Sequence, residues 1–262
     1  MKTNVWRFAL FSIAALLSAL VTVLSFCPAA WLAVLLEKQT QGRLTLGDTQ
    51  GTLWQGSGFI GAAPNGNDPV IPLLPGRFSW HLSPLVFIGK VKMRLENPQS
   101  LSQPIELTGT WDQWQISNSS VLLPAERLTG LGAPLNTLGP SGNMRLSWKA
   151  IELTKRGQQL DLTGSTILEL NNIGSLVSAV KPLGAYRVTM EWQGQQAKLA
   201  LVTVNGPLLL NGTGRLQQGG FEFSGKAEAA IGHEETLANL LNILGQRRKE
   251  GNKNIIALEF RQ

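Results

Sequence analysis

The side chains in this sequence that could do chemistry are few and dispersed. Its two histidines, His81 and His233, stand far apart. Neither belongs to a His-x-x-His or His-Glu-x-x-His spacing, which would bring two imidazoles to one metal. His81 falls on the polar side of an alternating segment and His233 just ahead of a helix, so both read as solvated surface positions. The adjacent Glu234 and Glu235 suit the first turn of that helix, where negative charge meets the positive end of the dipole, better than an acid/base pair. No Gly-x-Ser-x-Gly elbow presents a nucleophilic serine. The one cysteine, Cys27, excludes an internal disulfide and a thiolate zinc site. Phe26 is too large to precede a signal-cleavage site, so Cys27 reads as an apolar filler at a membrane boundary.

Two glycine patterns approach nucleotide-binding motifs and fail on context. Gly56-Ser57-Gly58-Phe59-Ile60-Gly61 has dinucleotide-fingerprint spacing, but a Pro/Asn-rich loop follows it where a helix is required. Gly220 to Lys226 has phosphate-loop spacing, yet Ala227 stands where a metal-binding hydroxyl is needed. Both read as strand and turn glycines. The expectation is a protein that is not an enzyme and holds no cofactor or metal.

The elements that carry these residues begin with a membrane segment. No charged residue occurs from Phe8 to Leu36, and about 18 apolar residues suffice to cross a bilayer as a helix. Phe8 to Phe26 is the best span, because Pro28 interrupts regular helix hydrogen bonding. Phe8, Leu16, Leu17, Val21, Leu24 and Trp31 are read as membrane-anchor residues, Trp31 as an interfacial aromatic, and Glu37-Lys38 as the exit to water. Lys2 and Arg7 precede the span, so the positive-inside rule holds the N-terminus in the cytoplasm and exports the rest. A cleaved signal peptide would export the same domain, but its apolar region is shorter, about 7 to 15 residues. Residues 1–36 are thus the cytoplasmic N-terminus and anchor, and 37–262 the exported domain, with a soft division near Pro140.

The chain of 262 residues is 43% hydrophobic and 15% charged, with 28 glycines and 13 prolines at turn-like spacings. This suits many short strands. The net charge of +6 is scattered. Only Arg247-Arg248-Lys249 clusters, and without a basic stripe on a recognisable module nucleic acid is not expected as a partner. Met144, Leu146 and Trp148 alternate with Asn143, Arg145 and Ser147, and Tyr186, Val188, Met190 and Trp192 align in the same way. Phe78 to Leu82 repeats the pattern. Period two marks half-buried strands with one wet face. Leu107-Thr108-Gly109, Leu162-Thr163-Gly164, Leu210-Asn211-Gly212 and Phe223-Ser224-Gly225 each close an apolar run with a glycine, read as freedom to turn or bulge.

Helices are few in the exported part. Leu237, Leu240, Leu241 and Leu244 form one stripe of an amphipathic helix over Glu234 to Leu244. Short helical turns fit around Pro124 to Leu128 and around Ser175 to Val180, and Asn252 to Phe260 reads as a last strand. The fold class is all-β: a transmembrane helix, then a large antiparallel, curled sheet with a C-terminal amphipathic helix. The eight tryptophans at alternating positions read first as core, with carbohydrate stacking or a lipid groove as the competing use.

Three segments follow one another in a recognisable order: Gly51-Thr52-Leu53-Trp54-Gln55-Gly56, Phe78-Ser79-Trp80-His81-Leu82-Ser83-Pro84-Leu85, and Pro140-Ser141-Gly142-Asn143-Met144-Arg145-Leu146-Ser147-Trp148. With the single anchor and the chain length, they resemble protein N of the bacterial type II secretion system, the general secretion pathway protein N family. That resemblance implies a single-pass protein of the cell inner membrane of a Gram-negative bacterium, with its domain in the periplasm. It implies an accessory role in protein transport, the export of folded proteins across the outer membrane. It also implies no catalytic residues, and partners among the inner-membrane platform proteins and the outer-membrane secretin, with lipid contacted through the anchor. The alternative from another class is a periplasmic lipid-binding or lipid-bridging protein with an apolar groove in its curled sheet. An open apolar trough would favour that alternative, and a closed core would favour docking.

Overall fold

The computed structural model describes residues 2–40, 42, 44–62, 71–131, 135–157, 159–217, 220–250 and 253–261. Helix α1 (Lys2–Ser25) comes first. Its Thr22 and Ser25 hydroxyls donate back to the carbonyls of Ser18 and Val21, at 2.8 and 2.7 Å, which satisfies two polar side chains in its apolar second half. Proline at position 28 cannot continue the helix. The apolar stretch resumes as a separate helix, α2 (Ala30–Gln39), so the charge-free run is interrupted around Pro28, where the sequence placed the end of the span. Among the described residues no helix is long and apolar enough to cross a membrane. Phe8 lies within α1, and its side chain is outside the described residues.

The remaining chain is mostly strand. First come β1 (Thr45–Gly51), β2 (Gln55–Ala62), the two-residue β3 (Ile71–Pro72), β4 (Phe78–Leu82), β5 (Val91–Glu96) and β6 (Ile105–Gly109). Then follow β7 (Gln113–Ile116), β8 (Ser119–Pro124), a short helix α3 (Leu135–Leu138), β9 (Ser141–Trp148) and β10 (Ile151–Arg156). Four long strands come next: β11 (Gln159–Gly174), β12 (Gly184–Gly194), β13 (Gln196–Asn205) and β14 (Leu208–Gln217). The chain finishes with β15 (Gly220–Ala229), helix α4 (Glu234–Leu244), β16 (Gln246–Glu250) and β17 (Lys253–Arg261). Two 3-10 turns, Pro84–Ile88 and Ala125–Leu131, complete it. The helical turn read near Pro124 is the second of these. Residues 175–180 form bends and turns instead of the expected helix, because Ser175 and Ser178 hydroxyls bond the Leu138 and Val180 carbonyls. Those local bonds compete with a helical ladder.

All strands join one antiparallel, 17-stranded sheet. The pairing runs β1–β2–β4–β5–β6–β7–β10–β11–β12–β13–β14–β15–β17–β16. The long β11 is shared: its first part pairs with β10 and its second with β9, which in turn pairs with β8. At Asn171-Asn172 the register slips on both sides of β11, with Asn172 at φ 53°, a bulge that bends the strand. Among the described residues β1 pairs with β2 alone and β16 with β17 alone, so the curled sheet does not close.

Among the described residues one end of the sheet carries a helix packed on its apolar face. There α4 buries Leu237 and Leu240 against Leu183 and Leu208, with Leu241 and Leu244 reaching Ala227, Ile256 and Leu258. The leucine stripe read from the sequence is this contact. Leu237 is fully buried. Leu237→Ala is expected to destabilise the domain by about 3 kcal/mol, the cost of a lost core leucine plus its cavity. The check is the shift in urea midpoint of the detergent-solubilised chain, followed by circular dichroism.

Candidate functional site

Strand alternation and cross-strand register together place the apolar residues on one face of the whole sheet. Leu168, Val188 and Leu201 are direct cross-strand neighbours, as are Thr166, Met190 and Leu199, and Trp192 and Ala197. Further along, Trp80 opposes Leu95, Leu82 opposes Met93, and Met93 opposes Leu107. Ile116 bridges Leu107 and Ile151, and Trp114 opposes Leu153. The same face therefore continues from β4 to β17. Beyond the part that α4 covers, many of these side chains are half-buried, among them Leu82, Met93, Leu107, Trp114, Leu146, Val188, Met190, Leu199 and Leu201. A curled single layer with such a face is an apolar trough.

Glycines shape this trough. The four apolar–polar–Gly triplets put their first residue and their glycine on the same, inner face. Gly109 ends β6, but Gly164, Gly212 and Gly225 lie inside strands, where the sequence suggested a turn or a bulge. Their function is close approach. A Cβ on Gly212 would stand 2.5 Å from the Phe223 ring, which lies across it from the neighbouring strand. Gly56 serves the same purpose at the other end: a Cβ there would stand 2.6 Å from the Trp80 ring. The Trp80 indole instead reaches over Gly56 and shares its N–H between the carbonyls of Thr52 and Leu53, at 3.3 and 3.2 Å.

The opposite face is polar and cross-linked by charge. Glu169 and Arg187 pair at 3.2 Å, Glu222 and Arg261 at 3.1 Å, and Arg94 contacts both Glu96 and Glu106, at 2.6 and 3.5 Å. These pairs are largely exposed and contribute little stability each. Arg77 carries more, since it bonds the Asp48 carboxylate, the Asp48 carbonyl (2.8 Å) and Ser57 Oγ (3.1 Å) while stacking 4.7 Å above the Phe59 ring. It thereby fixes the bulge in β1 between Gly47 and Gln50.

The sheet is fastened to the helical start of the chain at one corner. Trp54 Nε1 donates to the carbonyl of Leu24 at 2.7 Å, Leu53 N to that of Cys27 at 2.8 Å, and Ala29 N to that of Gly51 at 3.1 Å. Pro28 forms an isolated bridge with Thr52. The orphan carbonyls at the end of α1 are therefore met by the β1–β2 turn. Leu16, Leu17 and Val21 project from α1 at 72, 55 and 60% exposure and Trp31 from α2 at 68%, while Leu24 is half-buried at this junction.

The residues weighed for chemistry stay apart. His81 is exposed on the polar face of β4, beside Arg94 and Glu96, and His233 is an exposed N-cap of α4. Glu234 and Glu235 stand in the first turn of α4, and the Glu234 carboxylate accepts from Gly232 N at 2.8 Å. The two glycine patterns lie in β2 and β15, in strands. Among the described residues no group of three His, Cys, Asp or Glu could hold a metal ion.

Two of the three recognisable segments meet at the fastened corner, the β1–β2 turn and β4, while the third is β9. Residues 42–255 match the family described as type II secretion system (T2SS), protein N. The chain belongs to this family. The match runs from just before β1 into β17. No curated protein and no solved structure matches the chain. Membership makes this T2SS protein N family member a component of a protein-transport apparatus, whose other components are its natural partners.

Sequence reasoning passed over two features of this family member. One is the Asn97–Leu101 knot, with Asn97, Ser100 and Leu101 buried, where Asn97 Oδ1 accepts from Gln99 N and Ser100 N, at 2.9 and 3.0 Å, and Nδ2 donates to the Pro75 carbonyl. The other is the 3-10 turn Pro84–Ile88, signalled by Ser83 followed by proline, a cap and first-turn pair. At the sheet's other end Tyr186, the single tyrosine, is buried and donates to the Leu208 carbonyl at 3.0 Å. Burial pushes its phenol above the ordinary range. A raised folded-state value means the unfolded chain loses this proton first, so stability holds below about pH 10 and falls as pH rises beyond it. Tyr186→Phe is expected to lower stability near neutral pH by about 1 kcal/mol and to flatten the alkaline decline. Because no other tyrosine is present, tyrosinate absorbance against pH reads this group directly.

Proposed function

We propose that the chain is a non-enzymatic, single-pass inner-membrane component of the type II secretion system. Its N-terminus is cytoplasmic, its curled β domain is periplasmic, and it supports export of folded proteins by docking other apparatus proteins, the inner-membrane platform and the secretin. The observation that carries this reading is α1. Leu10, Phe11, Ile13, Leu16, Leu17, Leu20, Val21 and Val23 are all more than half exposed and lie on every side of one helix. A helix apolar all round has no wet face, and lipid is the medium that such a surface fits. Lys2 and Arg7, in its first two turns ahead of the apolar part, set the orientation.

The docking half of the proposal rests on the free edges. Among the described residues β1 and β16 each pair with one strand only, and apart from the Gly51 carbonyl, which Ala29 N meets, their other sides offer edges where a partner's strand can add. β16 is strongly basic, with Arg247 and Arg248 in its exposed part, which favours an acidic partner there.

A second reading has its own support, the half-exposed apolar trough. An acyl chain laid along it would bury surface that water now meets, so lipid binding or bridging is the alternative that this geometry favours.

Three outcomes are expected. A reporter fused after Gln262 that works only outside the cytoplasm should be active, and activity confined to the cytosol would overturn the topology. Photo-crosslinkers placed in β1 and β16 in secreting cells should recover platform or secretin components. Native mass spectrometry of the detergent-purified chain should show whether lipid stays bound: its absence removes the trough reading and leaves docking.

A further inference from the structure

Helix α1 does not end in open solvent, and the apolar surface does not end with it. On α2, Leu32, Ala33 and Leu36 are half-buried, while Trp31, Val34 and Leu35 face outward at 68, 51 and 55% exposure. Those three positions are one helical stripe. The 3-10 turn Pro84–Ile88 presents Leu85, Phe87 and Ile88 at 48, 53 and 69% exposure. Its Val86 carbonyl accepts from the indole of Trp111, itself 56% exposed, at 2.6 Å. So many large apolar side chains together on one exposed turn are unusual for a surface facing water.

What covers this surface follows from how it is fastened. The Trp54 indole that holds the Leu24 carbonyl of α1 also packs edge-on against Phe87, with ring centroids 5.3 Å apart. Trp54 thus places the 3-10 turn at the same depth as the last turn of α1. The Pro28 bridge and the Ala29 and Leu53 hydrogen bonds do the same for the start of α2. If α1 crosses a bilayer, both elements stand at its surface. Lys90, exposed just past the turn and its Gly89 cap, and Lys38 at the end of α2 supply charge that suits anionic headgroups; Asp112 beside Trp111 and Glu37 beside Lys38 are the opposing acids.

We propose that the outward stripe of α2 and the Pro84–Ile88 turn with Trp111 form an interfacial collar that dips into the headgroup and acyl boundary of the membrane, holding the β domain in a fixed orientation on the lipid surface. This rests on the reading of α1 as the anchor and adds a second, monotopic contact to it. With the collar seated, the corner holding Trp54 and Trp80 is the lipid-proximal end of the trough.

The test uses the full-length chain with Cys27→Ala, reconstituted into vesicles of phosphatidylethanolamine with a minor share of phosphatidylglycerol. Single cysteines at Ile88→Cys, Val34→Cys, Leu17→Cys and Ser224→Cys carry an environment-sensitive fluorophore. Ser224 is exposed on the polar face of β15 and serves as the aqueous reference. Probes at 88 and 34 should be quenched by lipids brominated near the headgroup, with iodide quenching about fivefold below that at 224. Iodide quenching at 88 and 34 equal to that at 224 would overturn the collar. So would shielding from iodide without quenching by brominated lipid, which would place a second protein on the surface. The probe at 17 reads the anchor separately. If it is quenched by bromines at mid-bilayer while 88 and 34 stay wet, the collar alone fails; if it is open to iodide, the anchor reading fails.

Discussion

A β-sheet with one apolar face has to bury that face against something, and this sheet has too little protein to do so. Seventeen strands lie in one layer, and the main second layer is the single helix α4 at one end. Two packed layers are the usual solution for a globular domain. Cross-strand neighbours offer a partial substitute, since side chains lying side by side on the curled face leave one another half-buried. The result is a stable core at one end and a long stretch where apolar contact stays incomplete. Much of what is distinctive in the chain answers that condition. Glycines leave room for the Phe223 and Trp80 rings, β1 and β16 each pair with one strand only among the described residues, and the outer face carries cross-strand ion pairs.

The same condition makes the fastening at the Trp54 corner important. A one-layer sheet transmits orientation only through its hydrogen-bond ladder, so whatever grips one edge sets the direction of the whole. Here three backbone or indole hydrogen bonds and a bridge join the end of α1 and the start of α2 to the β1–β2 turn. Each such bond contributes on the order of 1 kcal/mol, and together they define a rigid joint where a flexible linker would allow tumbling. A trough whose use depends on where it points gains from a joint of this kind.

Much of this was legible in the sequence. Alternation in Met144 to Trp148 and Tyr186 to Trp192 marked strands because each has one dry face. The Leu237–Leu244 stripe marked α4 because a helix repeats near 3.6 residues. The three ordered segments pointed to the family that residues 42–255 match. Other features were hidden because their cause is tertiary. Gly164, Gly212 and Gly225 looked like turn glycines, and only the register shows that they sit opposite large side chains. Ser175 to Val180 had helical composition, but its serine hydroxyls found nearby carbonyls. The exposed turn at Pro84–Ile88 gets no element of its own from the sequence, since the alternating pattern stops at Leu82 and a short apolar run after a proline has no period to read.

Docking and lipid binding make different demands on this architecture, and the charge pattern separates the places where each can occur. Strand addition needs an edge with free backbone groups. The β1 edge is bent by a bulge that Arg77 holds, whereas β16 is short and basic, so addition there would be selective for acidic partners. Apolar chains need continuity, and the inner face supplies it from Trp80 to Phe260 without a charged side chain among the paired positions named above. The two uses thus fall on different parts of the molecule, edge and trough. A partner at β16 would extend the trough by a strand and lengthen the apolar path away from the fastened corner. In that geometry an apparatus component and an acyl chain are compatible occupants of one sheet.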